Sequence, residues 1–396
     1  MNKNPSLNLS RIPEELKLIL DIIKAGKEIN PQLNNQWITK TIDWNLFLQL
    51  AIHHRVHPLL YSYFKKVDTY NLIPSFVIQE LSQMFKINTF QMLQLRAEMD
   101  EVGDLLSRNV IPLLFLKGPV LATELYGDLS LRTSCDLDLL VPIEDLERTE
   151  KLLFQMGYEK DDYIQTILGD WKWRHHHLTY HNPIKNIKVE VHWRLNPGPG
   201  KEPSFNELWK RKRNIRAFSK PLYYLGNEDL LFFLITHGAR HGWSRLRWLI
   251  DIDRIIEKDF SWDKSIQLLD KYGYVHVGGQ AVNLSMELLG TKIPSEFKQI
   301  VLAGKSRRLS QEAIYYIEKM VELHSGTVPE DIAKYHKRHL LSLMSNHQKF
   351  LFIISCLYPY PTDQETLPLP KNLHFLYFPL RPFLWVWRKT KSHVLT

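Results

Sequence analysis

Phe115-Leu-Lys-Gly-Pro-Val-Leu-Ala122 and Leu131-Arg-Thr-Ser-Cys-Asp-Leu-Asp-Leu-Leu-Val141 are the stretches whose reading decides the fold. The apolar run from Ile111 to Leu116 predicts a buried strand that ends at Lys117 and Gly118. Pro119 then opens a helix expected to reach Tyr126, since the first helical turn needs no proline N–H. A second strand is expected from Asp136 to Val141. Residues at i and i+2 of a strand point to one face, so Asp136 and Asp138 are held side by side, next to a glycine turn that opens a helix. That arrangement suits Mg²⁺ and a nucleoside triphosphate: the ion prefers hard oxygen ligands, some from protein and the rest from phosphate and water.

Transfer of a nucleotidyl group uses a pair of divalent cations, one at the attacking oxygen and one on the triphosphate. A third carboxylate is therefore expected on a neighbouring strand. Lys188-Val-Glu-Val-His-Trp-Arg194 alternates. Val189, Val191 and Trp193 should face the core, and Glu190, His192 and Arg194 should share the face of the two aspartates. Glu190 is the third candidate ligand. Gly118 permits close backbone approach to a phosphate, with the amino end of the next helix aimed at the anion. Lys117 and Arg132 are candidates to neutralise the polyphosphate, and Ser134 offers a hydroxyl.

The surrounding elements imply an α+β fold. Gly157 fits the C-terminal cap of a helix from Pro142 to Met156. Strands are expected at His175–Tyr180 and Lys185–Leu195, joined by a turn at His181–Pro183. The β-α-β-α-β-β order means a small mixed sheet between helical regions. Residues 1–110 read as an N-terminal helical region and 111–195 as the α/β core. Residues 196–357 read as a second helical region behind the breaker-rich segment Asn-Pro-Gly-Pro-Gly-Lys-Glu-Pro, and 358–396 as a proline-rich segment with an aromatic and basic tail.

Here the chain resembles a poorly characterised bacterial nucleotidyltransferase family within the polymerase-β-like superfamily. The resemblance rests on Leu-Lys-Gly at 116–118, Leu-Tyr-Gly-Asp at 125–128, Arg-x-x-x-Asp-Leu-Asp-Leu-Leu-Val at 132–141 and Val-Glu-Val-His-Trp-Arg-Leu at 189–195. His-Gly-Ala-Arg-His-Gly-Trp at 237–243, Trp-Leu-Ile-Asp-Ile at 248–252 and Leu-Tyr-Phe-Pro-Leu-Arg-Pro at 376–382 extend it along the chain. It implies metal-dependent transfer of a nucleoside monophosphate, with Asp136, Asp138 and Glu190 at the metal positions and Mg²⁺ or Mn²⁺ as the ion. The chain departs from the wider superfamily in three ways. Gly118 is followed by proline instead of serine, the stretch before the aspartates is longer, and the third acid is glutamate.

Composition bounds the remainder. The 396 residues carry a formal charge of +8, with 44% hydrophobic and 24% charged residues. Such a chain has ample material for a core and favours anionic ligands without choosing among them. The basic runs at Lys210–Arg213 and Lys305–Arg308 read as solvated surface. Cys135 and Cys356 are the two cysteines, so neither a disulfide framework nor a cysteine zinc site is expected. No signal-peptide pattern opens the sequence, and the expected location is the cytoplasm. The sequence offers no apolar run long enough to span a bilayer.

His237 and His241 lie four apart on an expected helix, with Arg240 between them. They are candidate substrate contacts along with His192, although structural packing against Trp243 or Trp248 is the favoured account of the pair. Asp251 is expected to pair with Arg247 at i+4. His175, His176 and His177 form a run on a strand, with His175 and His177 on one face. The tail suits an anionic membrane surface by composition, but Arg381 and two prolines interrupt it and favour packing onto the helical region. The expected activity is transfer from a nucleoside triphosphate to an unidentified hydroxyl-type acceptor, with release of pyrophosphate. The alternatives are a non-catalytic nucleotide-binding protein of the same fold, or a nucleic-acid-binding protein.

Overall fold

Among the described residues, four helices precede the first strand: α1 (Glu14–Ala25), α2 (Trp44–His53), α3 (His57–Lys66) and α4 (Ser75–Arg108). The computed structural model describes residues 6–27, 41–67, 73–162, 164, 166–198, 200–215, 221–258, 261–323 and 328–394. α2 starts where the Asp43 carboxylate accepts the backbone N–H groups of Asn45 and Leu46 at 3.0 and 3.1 Å. This pairs two of the donors that a helix start leaves open. α4 buries Val77, Leu81, Met92, Leu95, Met99, Val102 and Leu106 on one stripe, the pattern of an amphipathic helix. It packs on α3 and against the sheet.

The sheet begins with β1 (Leu114–Phe115). A single turn, α5 (Pro119–Leu121), continues as a π-helical turn at Ala122–Tyr126 and leads to β2 (Asp136–Leu140). Then come α6 (Leu146–Gln155), β3 (Glu159–Lys160), α7 (Trp171–Arg174), β4 (His177–Asn182) and β5 (Ile187–His192). After α8 (Phe205–Lys210) the chain adds β6 (Arg213–Ile215) and β7 (Leu222–Tyr224). The seven strands take the order β3-β4-β5-β2-β1-β7-β6. β2 runs parallel to β5, while β4 with β5 and β1 with β2 are antiparallel. The fold is α+β, as the alternation of elements implied.

Two readings are corrected here. The sheet does not end at residue 195: β7 pairs with β1 at Phe115↔Tyr224 and brings β6 with it. Each of these strands has three residues, too few for an alternation to stand out. The hairpin turn lies later than expected, at residues 183–186, because the Asn182 side chain accepts the N–H of Ile184 and Lys185 and caps the strand.

Leu137 and Leu139 on β2 and Val189 and Val191 on β5 are fully buried on one sheet face. The opposite face is roofed by α9 (Asn227–Arg240) and α10 (Leu246–Ile256), which meet at a sharp corner. Trp243 makes that corner with φ 56° and is fully buried. It folds under Gly238, where an added Cβ would stand 2.2 Å from a ring carbon. Gly238→Ala is therefore expected to destabilise the protein by about 2 kcal/mol in chemical denaturation, even though alanine is the better helix former. An unchanged or raised midpoint would mean that the corner is not packed this tightly.

Further helices continue to Cys356. The tail helix Tyr377–Val394 packs back through buried Tyr377 and Leu384. Arg381 and Arg388 are both bound to the buried Asp363, at 2.5 and 2.7 Å. Phe383, Trp385, Val386 and Trp387 remain exposed. No described helix is long and apolar enough to cross a membrane. Cys135 and Cys356 are both free thiols.

Candidate active site

The register of β2 against β5 sets Asp138 opposite Glu190 and Asp136 opposite Lys188. Asp138 is 0% exposed at the floor of the site. Its Oδ1 lies 2.9 Å from Lys117 Nζ and 3.2 Å from His192 Nε2. Glu190 Oε1 lies 2.6 Å from Lys188 Nζ, and its Oε2 lies 3.6 Å from His192 Nε2 and 3.8 Å from His177 Nε2. One ligand atom each from Asp138, Glu190 and His192 fall within 4.8 Å of one another. Asp138 Oδ2 is buried with no hydrogen-bond partner among the described residues. An orphaned carboxylate oxygen is costly by itself, and a cation answers that cost. The donor set therefore fits a divalent ion.

The charges are tuned by one another. Burial pushes Asp138 up, but Lys117 and the hydrogen bond from His192 outweigh it and hold its pKa below the ordinary value. Burial and the neighbouring charge of Asp138 raise Asp136. For Glu190, burial is overcome by His192 and His177, and the carboxyl stays well below its usual range. His192 is raised in spite of burial, because it faces Asp138 and Glu190. His177 is pushed down to about 3, by burial first and by His192 next, and is neutral.

Above this floor is a cavity of about 390 Å³. Lys117, Ser134, Asp136, Glu190 and His192 line it from the sheet, and His237, Arg240 and His241 line it from the end of α9. His237 and His241 have ring centroids 4.6 Å apart, and His241 stacks on Trp248 at 5.2 Å. Both the packing reading and the substrate-contact reading of this pair thus describe the same place. Arg240 and Arg247 carry lowered pKa values of about 10, caused first by burial. Neither has a carboxylate ion pair among the described residues. Arg240 also borders a second, more apolar cavity of about 330 Å³ lined by Val277, Leu343, Met344 and Phe352.

Several expected roles shift. Arg132 borders the cavity, but its guanidinium is held by Asp251 in a two-pronged pair, Nε to Oδ1 at 2.9 Å and Nη2 to Oδ2 at 2.8 Å. Tyr126 donates to the same carboxylate at 2.8 Å. Asp251 is thus taken by Arg132 rather than Arg247, which donates to the carbonyl and hydroxyl of Thr133. Ser134 lies against Asp136, its Oγ 3.3 Å from the Asp136 carbonyl oxygen. Gly118 has φ 74°, and a Cβ there would meet the Asp136 carbonyl oxygen at 3.4 Å. Its role in the structure is the close approach of the turn to β2, and it is not among the cavity-lining residues. His175 does not share a strand face with His177. It ends α7, whereas His176 and His177 both turn toward His192, with ring centroids 5.2 and 4.9 Å away.

Sequence reading missed Arg55 and Lys188 as cavity residues. Arg55 comes from the α2–α3 connection and has φ 59°. The His53-His54-Arg55 cluster, which breaks an apolar helix, was the available signal. His53 Nε2 contacts the Ser244 carbonyl oxygen at 3.0 Å, and the Arg247 N–H donates to the His54 carbonyl at 3.2 Å, so the cluster docks on the α9–α10 corner.

Comparison with curated proteins and with solved structures gives no match. A family described as uncharacterised nucleotidyltransferase matches residues 40–290, a span that takes in the sheet, the α9–α10 roof and the Arg55 connection. The three carboxylates beneath a basic cavity lie within the matched span, and the chain belongs to this family of uncharacterised nucleotidyltransferases.

Proposed function

We propose that the enzyme transfers a nucleoside monophosphate from a nucleoside triphosphate to a hydroxyl-type acceptor and releases pyrophosphate, in the manner of polymerase-β-like enzymes. The observation that carries this reading is the pairing of Asp138 with Glu190 on adjacent parallel strands, with Asp136 two residues earlier, under a cavity walled by cations. Asp136, Asp138 and Glu190 would hold Mg²⁺ or Mn²⁺. Such an ion acidifies the attacking hydroxyl and neutralises phosphate oxygens.

The chain's own residues do the rest by positioning and charge. Arg55, Arg240 and Arg247 meet the polyphosphate from the roof, and Lys117 meets it from the floor. The acceptor oxygen attacks the α-phosphorus, its O–P bond forms, and the bond to the β-phosphate oxygen breaks. Burial excludes water and makes each cation count for more. The second cavity shares Arg240 with the first, which gives an acceptor body a place next to the reacting phosphate.

Isothermal calorimetry with ATP, GTP, CTP and UTP, with and without Mn²⁺ or Mg²⁺, tests the reading. The best nucleotide is expected to lose at least tenfold in affinity when the metal is chelated, a loss of about 1.4 kcal/mol. Equal affinity after chelation would remove the metal-dependent mechanism.

A further inference from the structure

The tail helix Tyr377–Val394 is amphipathic in an inverted sense. Its inner face carries Tyr377, Arg381, Leu384 and Arg388, three or four residues apart. Both arginines of that face end on the buried Asp363, and Arg381 also donates to the Cys356 carbonyl. With these charges used inside, the helix turns its apolar side chains outward. Phe383 is 73% exposed, and Trp385, Val386 and Trp387 are 50–52% exposed. The helix Asn346–Cys356 repeats the arrangement: Gln348 and Ser355 are buried, while Phe350 and Ile353 are 60% and 62% exposed. The two helices adjoin, since Tyr358, just past the first, packs its ring on Phe378 of the second at 5.0 Å. Single exposed apolar residues are ordinary, but a patch spread over two neighbouring helices marks an interaction surface.

Charge says what covers it. From Ile332 to Thr396 the sequence has nine lysines and arginines against two acids, Asp363 and Glu365, so seven of the eight units of formal positive charge lie in this part of the chain. Lys371 and Lys389 are exposed beside the aromatic residues, and Lys389 lies over the Trp385 ring at 4.4 Å. We propose that this face docks on the surface of an anionic lipid bilayer, with both helices lying in the plane of the interface. The proposal goes beyond nucleotidyl transfer and does not depend on it.

Phe383, Trp385, Val386 and Trp387 enter the boundary between headgroups and acyl chains, where tryptophan is preferred. The lysines keep their ammonium groups at the level of the lipid phosphates while their stems lie along apolar surface. No described helix can cross the membrane, so the protein lies on it,. The composition of the tail set membrane contact against packing as alternatives. The structure places them on opposite sides of one helix, with Asp363 holding the packed side. A second copy of the chain is a poor occupant, because two faces of the same strong positive charge repel each other. The inner side of the helix Asn346–Cys356 lines the second cavity through Gln348, Phe352 and Ser355. A docked bilayer therefore lies one helix diameter, about 10 Å, from that cavity.

The test uses the full chain, free of nucleotide, floated with vesicles of phosphatidylcholine alone or of phosphatidylcholine and phosphatidylglycerol in equal parts. Binding to the anionic vesicles is expected to be at least about tenfold tighter than to the neutral ones, and to weaken with salt. The triple variant Phe383→Ser, Trp385→Ser, Trp387→Ser is expected to lose at least about tenfold of that binding, with the melting curve as the check on folding. If the variant fails to fold, quenching of wild-type tryptophan fluorescence by brominated phosphatidylglycerol decides, and quenching is expected. Absence of flotation overturns the proposal, as do equal flotation with both lipids, undiminished binding by the folded triple variant, and absence of quenching. A wild-type dimer in sedimentation equilibrium that the triple variant loses, without flotation of either protein, also overturns it and assigns the face to a second copy.

Discussion

Asp138→Asn and Asp136→Asn are both expected to reduce nucleotidyl transfer about a thousandfold or more, roughly 4 kcal/mol of transition-state stabilisation, but with opposite effects on folding. The swap at Asp138 removes the anion of a pair in which Lys117 is mostly buried and the aspartate wholly so. Breaking a buried pair costs about 3–5 kcal/mol when the remaining charge has no other partner. Asp136 and Glu190 also attract Lys117 here, so about 2 kcal/mol is expected for Asp138→Asn. The usual expectation that strand-end acids scarcely affect stability thus fails at this position. Asp136 is half-buried beside the like charge of Asp138. Its replacement by a neutral amide relieves repulsion, and Asp136→Asn is expected to melt no lower than wild type when both are held in chelator. Adding Mn²⁺ should reverse that order, because the wild type gains more binding energy on folding. Retained activity in either folded variant would remove that aspartate from the mechanism. A lower melting point for Asp136→Asn in chelator would contradict the charge balance drawn here.

The carboxylate floor of the cavity was legible from sequence because period-two alternation is a local signal. Val189 and Val191 had to be buried, so Glu190 had to face the other way, and Asp-x-Asp already placed two acids on one face. Hydrophobic pattern also set the register, since a one-residue slip would have buried Glu190 and exposed the valines. The roof was not legible in this way. Arg55 reaches the cavity from the N-terminal helical region, and the His53-His54-Arg55 cluster marks a break in an apolar helix without telling what it docks on. The local i+4 rule offered Arg247 as the partner of Asp251, yet the structure chooses Arg132, 119 residues away. A surface i+4 pair contributes only a few tenths of a kcal/mol. A two-pronged pair inside the protein must be complete to offset desolvation, and tertiary packing decides which arginine can complete it.

Arg132→Met is expected to destabilise the protein by about 3–5 kcal/mol, because Asp251 would be left charged, fully buried and partnered by Tyr126 alone,. Its place beside the carboxylates in sequence made Arg132 a candidate to neutralise the polyphosphate, but the geometry makes it a strut. With Tyr126, which follows α5, it ties the stretch before β2 to Asp251 on α10, 119 residues further along the chain. This network fastens the roof helices to the sheet, and so sets the distance between the roof arginines and the carboxylates. Arg132→Lys should recover little, since an ammonium cannot reproduce the two-pronged contact. The triple variant Arg132→Met, Asp251→Leu, Tyr126→Phe should recover most of the lost stability, because well-packed apolar side chains often replace a buried ion pair without cost. Urea denaturation measures all three. An Arg132→Met protein that is as stable as wild type, with a raised KM for the nucleotide, would return Arg132 to the phosphate and leave the α10 attachment to other contacts.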